Sequence, residues 1–118
     1  ADGQAQVKKP EEVLPDEHIV DMGPDTLALI APMITDAKFI LWNGPTGLYE
    51  HGYNIWTGKI AGLIVASNAR AVVGGGDTIA AIEHVDLSSN SNMFLSTGGG
   101  AMLEYLLKGN LPAIDVLN

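Results

Sequence analysis

The sequence predicts an α/β fold: a three-layer arrangement in which a parallel sheet of three strands is covered by helices. Three observations carry this. Short apolar runs alternate with segments of helical period along the whole chain, the order expected of parallel strands joined by right-handed crossovers. Each apolar run stops at a glycine-rich turn: Asn43-Gly44-Pro45, Gly74-Gly75-Gly76 and Gly98-Gly99-Gly100. Three strands are also half the six of a complete doubly wound sheet. The chain therefore reads as one Rossmann-like βαβαβ half of a larger domain.

Taken in order, residues 1–15 are polar, hold Pro10 and Pro15, and are expected to form a loop or frayed segment. Residues 16–118 form the second unit, which carries the alternating strands and helices. Ile19-Val20-Asp21-Met22-Gly23 reads as a short extended piece. Pro24 suits the first turn of a helix, where its missing N–H costs nothing. Leu27, Ile30, Met33 and Ile34 recur at helical spacing to about Thr35, with Pro32 expected to kink or shorten the helix. Lys38-Phe39-Ile40-Leu41-Trp42 reads as a buried strand ending in a turn. The strongest helix spans residues 54–68, with Ile55, Ile60, Ala61, Leu63 and Ile64 as one broad apolar stripe. Ala71-Val72-Val73 is the second strand, after which Asp77 is placed to cap a helix running through His84. Asn92-Met93-Phe94-Leu95-Ser96 is the third strand. Residues 101–108 form the last helix, stopped by Gly109.

Composition narrows the function. The 118 residues are 47% hydrophobic and 17% charged, a globular balance. The formal charge of -8 disfavours nucleic acid as a partner, because a phosphate backbone calls for clustered Lys and Arg. No run of apolar residues is long enough to predict a membrane span. Cysteine is absent, so disulfides and thiolate metal sites are excluded, and a reducing cytoplasm is the expected home. Glycine accounts for 14 of 118 residues, well above the usual ~7%, and these glycines gather in runs suited to tight turns or close ligand approach.

In an open parallel sheet, ligands bind beyond the carboxyl ends of the strands. All three predicted strands end there in special sequence. A glycine run before a helix leaves N–H groups and the positive dipole end facing the ligand, and without Cβ atoms phosphate oxygens can approach the backbone. Asp77, directly after Gly74-Gly75-Gly76, adds a hard oxygen ligand for Mg²⁺, and Thr78 adds a hydroxyl. One carboxylate suffices, since Mg²⁺ takes its other ligands from phosphates and water. Singly, these features have ordinary readings. A glycine run is a turn, Asp77 a helix N-cap and Glu50 a solvated loop residue. His18, His51 and His84 show no metal or triad spacing, and Trp42 and Trp56 read as packing residues. A Walker A loop is absent, because no glycine precedes Lys-Ser or Lys-Thr. The dinucleotide fingerprint fails in both runs, at Ile79 and at Leu103.

At these residues the sequence resembles the phosphoglycerate kinases. Asp21-Met22-Gly23-Pro24-Asp25-Thr26 is similar to that family's D-x-G-P-x-T, and Trp42-Asn43-Gly44-Pro45-Thr46-Gly47-Leu48-Tyr49-Glu50 to its W-N-G-P-x-G-x-[FY]-E. Gly74-Gly75-Gly76-Asp77-Thr78-Ile79-Ala80-Ala81 resembles G-G-G-D-[ST]-x-x-A. Ser96-Thr97-Gly98-Gly99-Gly100-Ala101-Met102-Leu103-Glu104 resembles S-T-G-G-G-A-x-L-E, and Leu111-Pro112-Ala113-Ile114 resembles L-P-G-[IV]. Each alone is weak, but the ordered set is specific.

The resemblance implies the C-terminal part of a nucleotide-binding domain. The implied activity is reversible phosphoryl transfer between 1,3-bisphosphoglycerate and ADP, giving 3-phosphoglycerate and ATP in glycolysis. The implied cofactors are ATP or ADP and Mg²⁺. It further implies that Asn43, Gly44 and Pro45 lie along the nucleotide and that Glu50 accepts from the ribose hydroxyls. Gly75, Gly76, Asp77 and Thr78 would hold phosphates, with Asp77 on Mg²⁺, while Gly98, Gly99 and Gly100 offer N–H groups to the phosphoryl group in transit.

The resemblance covers only the last part of a family member. The phosphoglycerate-binding N-terminal domain and the nucleotide-binding lysine are outside it, so Ala1 is expected to be a cut end and the C-terminus a natural one. Thr46 stands where Met is common, Trp56 where a small residue is common, and Ala113 where Gly is usual. The isolated chain is expected to be inactive. The alternative reading is a nucleotide-binding or assembly module without catalysis, and a half sheet also predicts self-association through an exposed edge.

Overall fold

The computed structural model describes residues 4–89, 91–109, 111 and 116. Three strands, β1 (Phe39–Asn43), β2 (Arg70–Gly74) and β3 (Met93–Ser96), form one parallel sheet in the order β1-β2-β3. Helices α1 (Pro24–Asp36), α2 (Ile55–Ala66), α3 (Gly76–Ala81) and α4 (Gly99–Lys108) connect and flank them. Short 3₁₀ turns lie at Pro10–Glu12 and Tyr49–His51.

Side chains alternate across a strand, so β2 presents Ala71 and Val73 to one face and Val72 to the other. The first face carries the core. Ile60 and Ile64 of α2 pack on Ala71, joined by Leu27, Ile30 and Ile34 of α1. Ala61 packs on Val73 with Ile82 and Trp42. Ile64, Ile82 and Val73 are fully buried, each stabilising the fold by roughly 1.5–3 kcal/mol relative to exposure. On the second face Met102 of α4 reaches Gly74, where any Cβ would collide with it. This face is thinly covered: Phe39, Leu41 and Phe94 remain exposed, as do Leu103, Leu106 and Leu107 of α4.

Several elements differ in detail from the sequence expectation. Pro32 does not shorten α1, which runs on to Asp36. Pro32 and Ala28 are both exposed, so water is available to the carbonyl whose N–H partner proline removes. Residues 19–23 form no strand. Asp77 does not cap α3: the N-cap is Gly75 at φ 95°, Asp77 lies in the first turn, and the helix ends at Ala81 rather than His84. The end comes because the Ile82 N–H is shared between the carbonyls of Thr78 and Ile79, a tightened closing turn. Ile55 is 64% exposed, so the buried stripe of α2 is Thr57, Ile60, Ala61 and Ile64. Residues 4–15 hold the first 3₁₀ turn, and Lys8 within them forms an ion pair with Glu17 beyond them. Pro112, Ala113 and Ile114 lie outside the described residues.

Candidate functional site

The register sets Asn43, Gly74 and Ser96 level at the carboxyl ends of the strands. The three turns that follow therefore meet at one rim. Gly75 N–H donates to the Ser96 carbonyl at 2.9 Å. A Cβ on Gly99 would lie 2.6 Å and 2.7 Å from the N and Cα of Gly75, so only glycine permits α4 to start this close to the second turn. The Asn43 side-chain oxygen sits among Gly74, Gly75 and Gly99, 3.0 Å from a Cβ position on Gly74 and 3.3 Å from one on Gly75. Gly76 and Gly100 face open space.

The first turn is tied down on both sides. The Gly44 N–H donates to Thr78 Oγ1 at 2.7 Å, and Trp42 Nε1–H donates to the Gly44 carbonyl at 2.7 Å. Gly44 takes φ 108°, a conformation costly for residues with a side chain. Thr46 N–H donates to Thr57 Oγ1 at 3.1 Å, and the Thr46 hydroxyl donates to Asp21 Oδ1 at 2.9 Å. Leu48 N–H closes on the Val20 carbonyl at 2.9 Å. Gly47 packs on the Asp21 carboxylate, whose Oδ2 is buried with no hydrogen-bond partner.

Beside this rim opens a cleft of about 510 Å³. Pro45 and Glu50 line it from the first turn and Asp77 from the second, with Asp21 and Tyr49 between. Tyr49 OH donates to Asp77 Oδ1 at 2.9 Å. This hydrogen bond raises the Tyr49 phenol above its ordinary 10.0, and burial and the Asp77 and Glu50 charges act in the same direction. Among the described residues no Lys or Arg lines the cleft.

The structure thus divides the sequence-predicted site residues. Pro45, Glu50 and Asp77 face the cleft. Asn43, Gly44, Gly75, Gly76, Gly98, Gly99 and Gly100 form the adjoining rim. Thr78 is fully buried, and its hydroxyl accepts from Gly44 inside the fold. Sequence reasoning missed Asp21, Thr46, Thr57 and Tyr49 as parts of the site. Asp21, Thr46 and Tyr49 stand inside the quoted motifs, which was a signal. Thr57 gave none, being one hydroxyl on an otherwise apolar helix face.

The arrangement suits an anion accompanied by a cation. Three carboxylates without a basic side chain would repel bare phosphate, whereas Mg²⁺ typically joins one or two carboxylates to phosphate oxygens. Asp77 fits that demand, being exposed with Oδ1 held by Tyr49. Among the described residues no group of three or more His, Asp or Glu side chains could hold a metal by itself. No described helix is long and apolar enough to cross a membrane.

The family model for phosphoglycerate kinase matches residues 1–109. The chain is 42% identical over 115 residues to the phosphoglycerate kinase of Vibrio campbellii, covering 97% of this chain and 30% of that protein. It is 44% identical over 115 residues to that of Francisella tularensis, covering 97% and 29%. The solved structure of phosphoglycerate kinase from Coxiella burnetii superposes with a TM-score of 0.80 at 40% identity, over 98% of this chain and 30% of that one. The chain spans about 30% of the length of the relatives it matches. By sequence and by fold, the chain belongs to the phosphoglycerate kinase family.

Proposed function

We propose that this chain supplies much of the Mg-nucleotide site of a phosphoglycerate kinase. The parent reaction is phosphoryl transfer between 1,3-bisphosphoglycerate and ADP, giving 3-phosphoglycerate and ATP in cytoplasmic glycolysis. The observation that carries this is the meeting of three strand-end turns at one rim, with Asp77 facing a cleft beside them. Asn43, Gly44 and Pro45 lie along the nucleotide, and Glu50 accepts from its ribose hydroxyls. Gly75 and Gly76 offer backbone to the phosphates, with Asp77 as the Mg²⁺ ligand. Thr78 acts from beneath by fixing Gly44. Mg²⁺, when bound, neutralises charge on the phosphate oxygens. Gly98, Gly99 and Gly100 present the start of α4 to the phosphoryl group in transit, where N–H groups stabilise developing charge.

Phosphoryl transfer asks little covalent work of the protein, so catalysis is positioning and charge neutralisation. The phosphoglycerate is held by the N-terminal domain of the parent, and the chain alone binds without turning over. Calorimetry tests this reading: Mg-ADP binds, NAD does not, and Asp77→Asn weakens Mg-ADP. Equal Mg-ADP binding by Asp77→Asn would remove the metal assignment, and turnover of 3-phosphoglycerate with ATP would remove the claim that this portion is inactive alone. We also infer that the exposed sheet edge at β1, where Phe39 and Leu41 are exposed, pairs with a second copy of the chain. Sedimentation should show dimers at high concentration, and a strictly monomeric chain would contradict this.

A further inference from the structure

We propose that Tyr49 is a positioning residue for the metal-bearing carboxylate, an inference that rests on the assignment of Asp77 to Mg²⁺. Tyr49 begins the 3₁₀ turn that also carries Glu50, the residue assigned to the ribose. Its hydroxyl crosses the cleft to donate to Asp77 Oδ1 at 2.9 Å. The two residues are 28 apart in sequence and belong to different strand-end turns, so this bond links the ribose side of the site to its metal side. No other hydrogen bond or ion pair holds the Asp77 side chain among the described residues.

The chemistry follows from the lone pairs. An ionised carboxylate offers about four acceptor sites, and the phenol occupies one on Oδ1, leaving Oδ2 for a cation. A carboxylate on an exposed first turn otherwise samples several rotamers, and ordering it costs entropy at the moment of metal binding. Outer-shell hydrogen bonds to metal-binding carboxylates serve to fix such orientation. The aromatic ring alone, as in phenylalanine, fills the same space without this function. Tyr49 itself is not placed in contact with the nucleotide phosphates.

The test measures ADP affinity by calorimetry twice, in saturating Mg²⁺ and in EDTA, for the full chain and three variants. Tyr49→Phe should weaken ADP binding about fivefold in Mg²⁺, as expected for one lost hydrogen bond, and leave the EDTA value unchanged. Glu50→Gln should weaken both to the same degree, because it acts on the ribose. Asp77→Asn should abolish the gain that Mg²⁺ brings. A structural role for Tyr49 would move both conditions together, and that result overturns the proposal. So does an unchanged Mg²⁺ affinity in Tyr49→Phe while Asp77→Asn responds, which leaves the Asp77 assignment standing. If Asp77→Asn keeps the full Mg²⁺ gain, the metal assignment and the proposal fall together. Far-ultraviolet circular dichroism confirms folding, since Tyr49→Phe removes only one hydroxyl.

Discussion

Replacing Thr78 by valine tests how the rim is held. The change keeps side-chain volume and β-branching but substitutes a methyl for the hydroxyl. Thr78 is fully buried, and its Oγ1 accepts from Gly44 N–H at 2.7 Å. Valine offers no acceptor, so the half-buried Gly44 N–H loses its partner. Orphaning a buried donor costs about 1–3 kcal/mol. Gly44 is only half-buried and water has some access, so the lower part of that range applies, about 1–2 kcal/mol. With a urea m-value of roughly 2 kcal/mol/M, the unfolding midpoint should fall by about 0.5–1 M. Hydrogen exchange at the Gly44 amide should accelerate in the same variant. Thr78→Ser gives the contrast: it loses a buried methyl, about 0.8 kcal/mol, but keeps Gly44 protected. A valine variant with an unchanged midpoint and unchanged Gly44 protection would refute the idea that this bond ties the first turn to the second.

Two glycines in the third turn should behave oppositely. Gly99→Ala sets a Cβ 2.6–2.7 Å from Gly75 backbone atoms, which cannot yield cheaply, so it should cost about 1–3 kcal/mol and weaken Mg-ADP binding. Gly100→Ala meets nothing within 4 Å and should stabilise α4 by about 0.5–1 kcal/mol; thermal unfolding of both variants checks the pair. In alkaline solution the Tyr49 phenol, raised by its bond to Asp77, holds its proton more tightly in the folded state than in the unfolded state. Its contribution is complete below pH 10 and is lost as pH rises through the folded-state value. The phenolate absorbance of the unsubstituted chain minus that of Tyr49→Phe should therefore titrate above 10; a step at or below 10 would contradict it.

Much of the fold was legible because strands and glycine turns announce themselves locally. Phe39–Asn43 and Arg70–Gly74 are apolar runs closed by glycine, and both strands formed within one residue of expectation. The parallel order followed from alternation with helices, and the meeting of the three turns followed from the order. What was not legible depends on contacts distant in sequence. The length of α3 is set by how Ile82 shares two carbonyls, which no periodicity reveals. Thr78 reads as a ligand hydroxyl in sequence, yet a partner 34 residues away occupies it. Asp21 and Thr46 are 25 residues apart, and their bond exists only once the segment before α1 folds against the first turn. Thr46 and Trp56 likewise make contacts that the sequence did not announce: Thr46 with Asp21 and Thr57, and Trp56 with the Lys59 ammonium 4.2 Å from its ring centroid.

The most direct test of the site is amide chemical-shift mapping of the full chain as Mg-ADP is added. The amides of Gly44, Gly75, Gly76, Asp77 and Gly98 to Gly100 should move together along one binding curve. Shifts confined instead to the groove that Leu27 and Ala31 of α1 form with Trp56 and Leu63 of α2, or spread without relation to the three strand ends, would contradict a nucleotide seated on that rim.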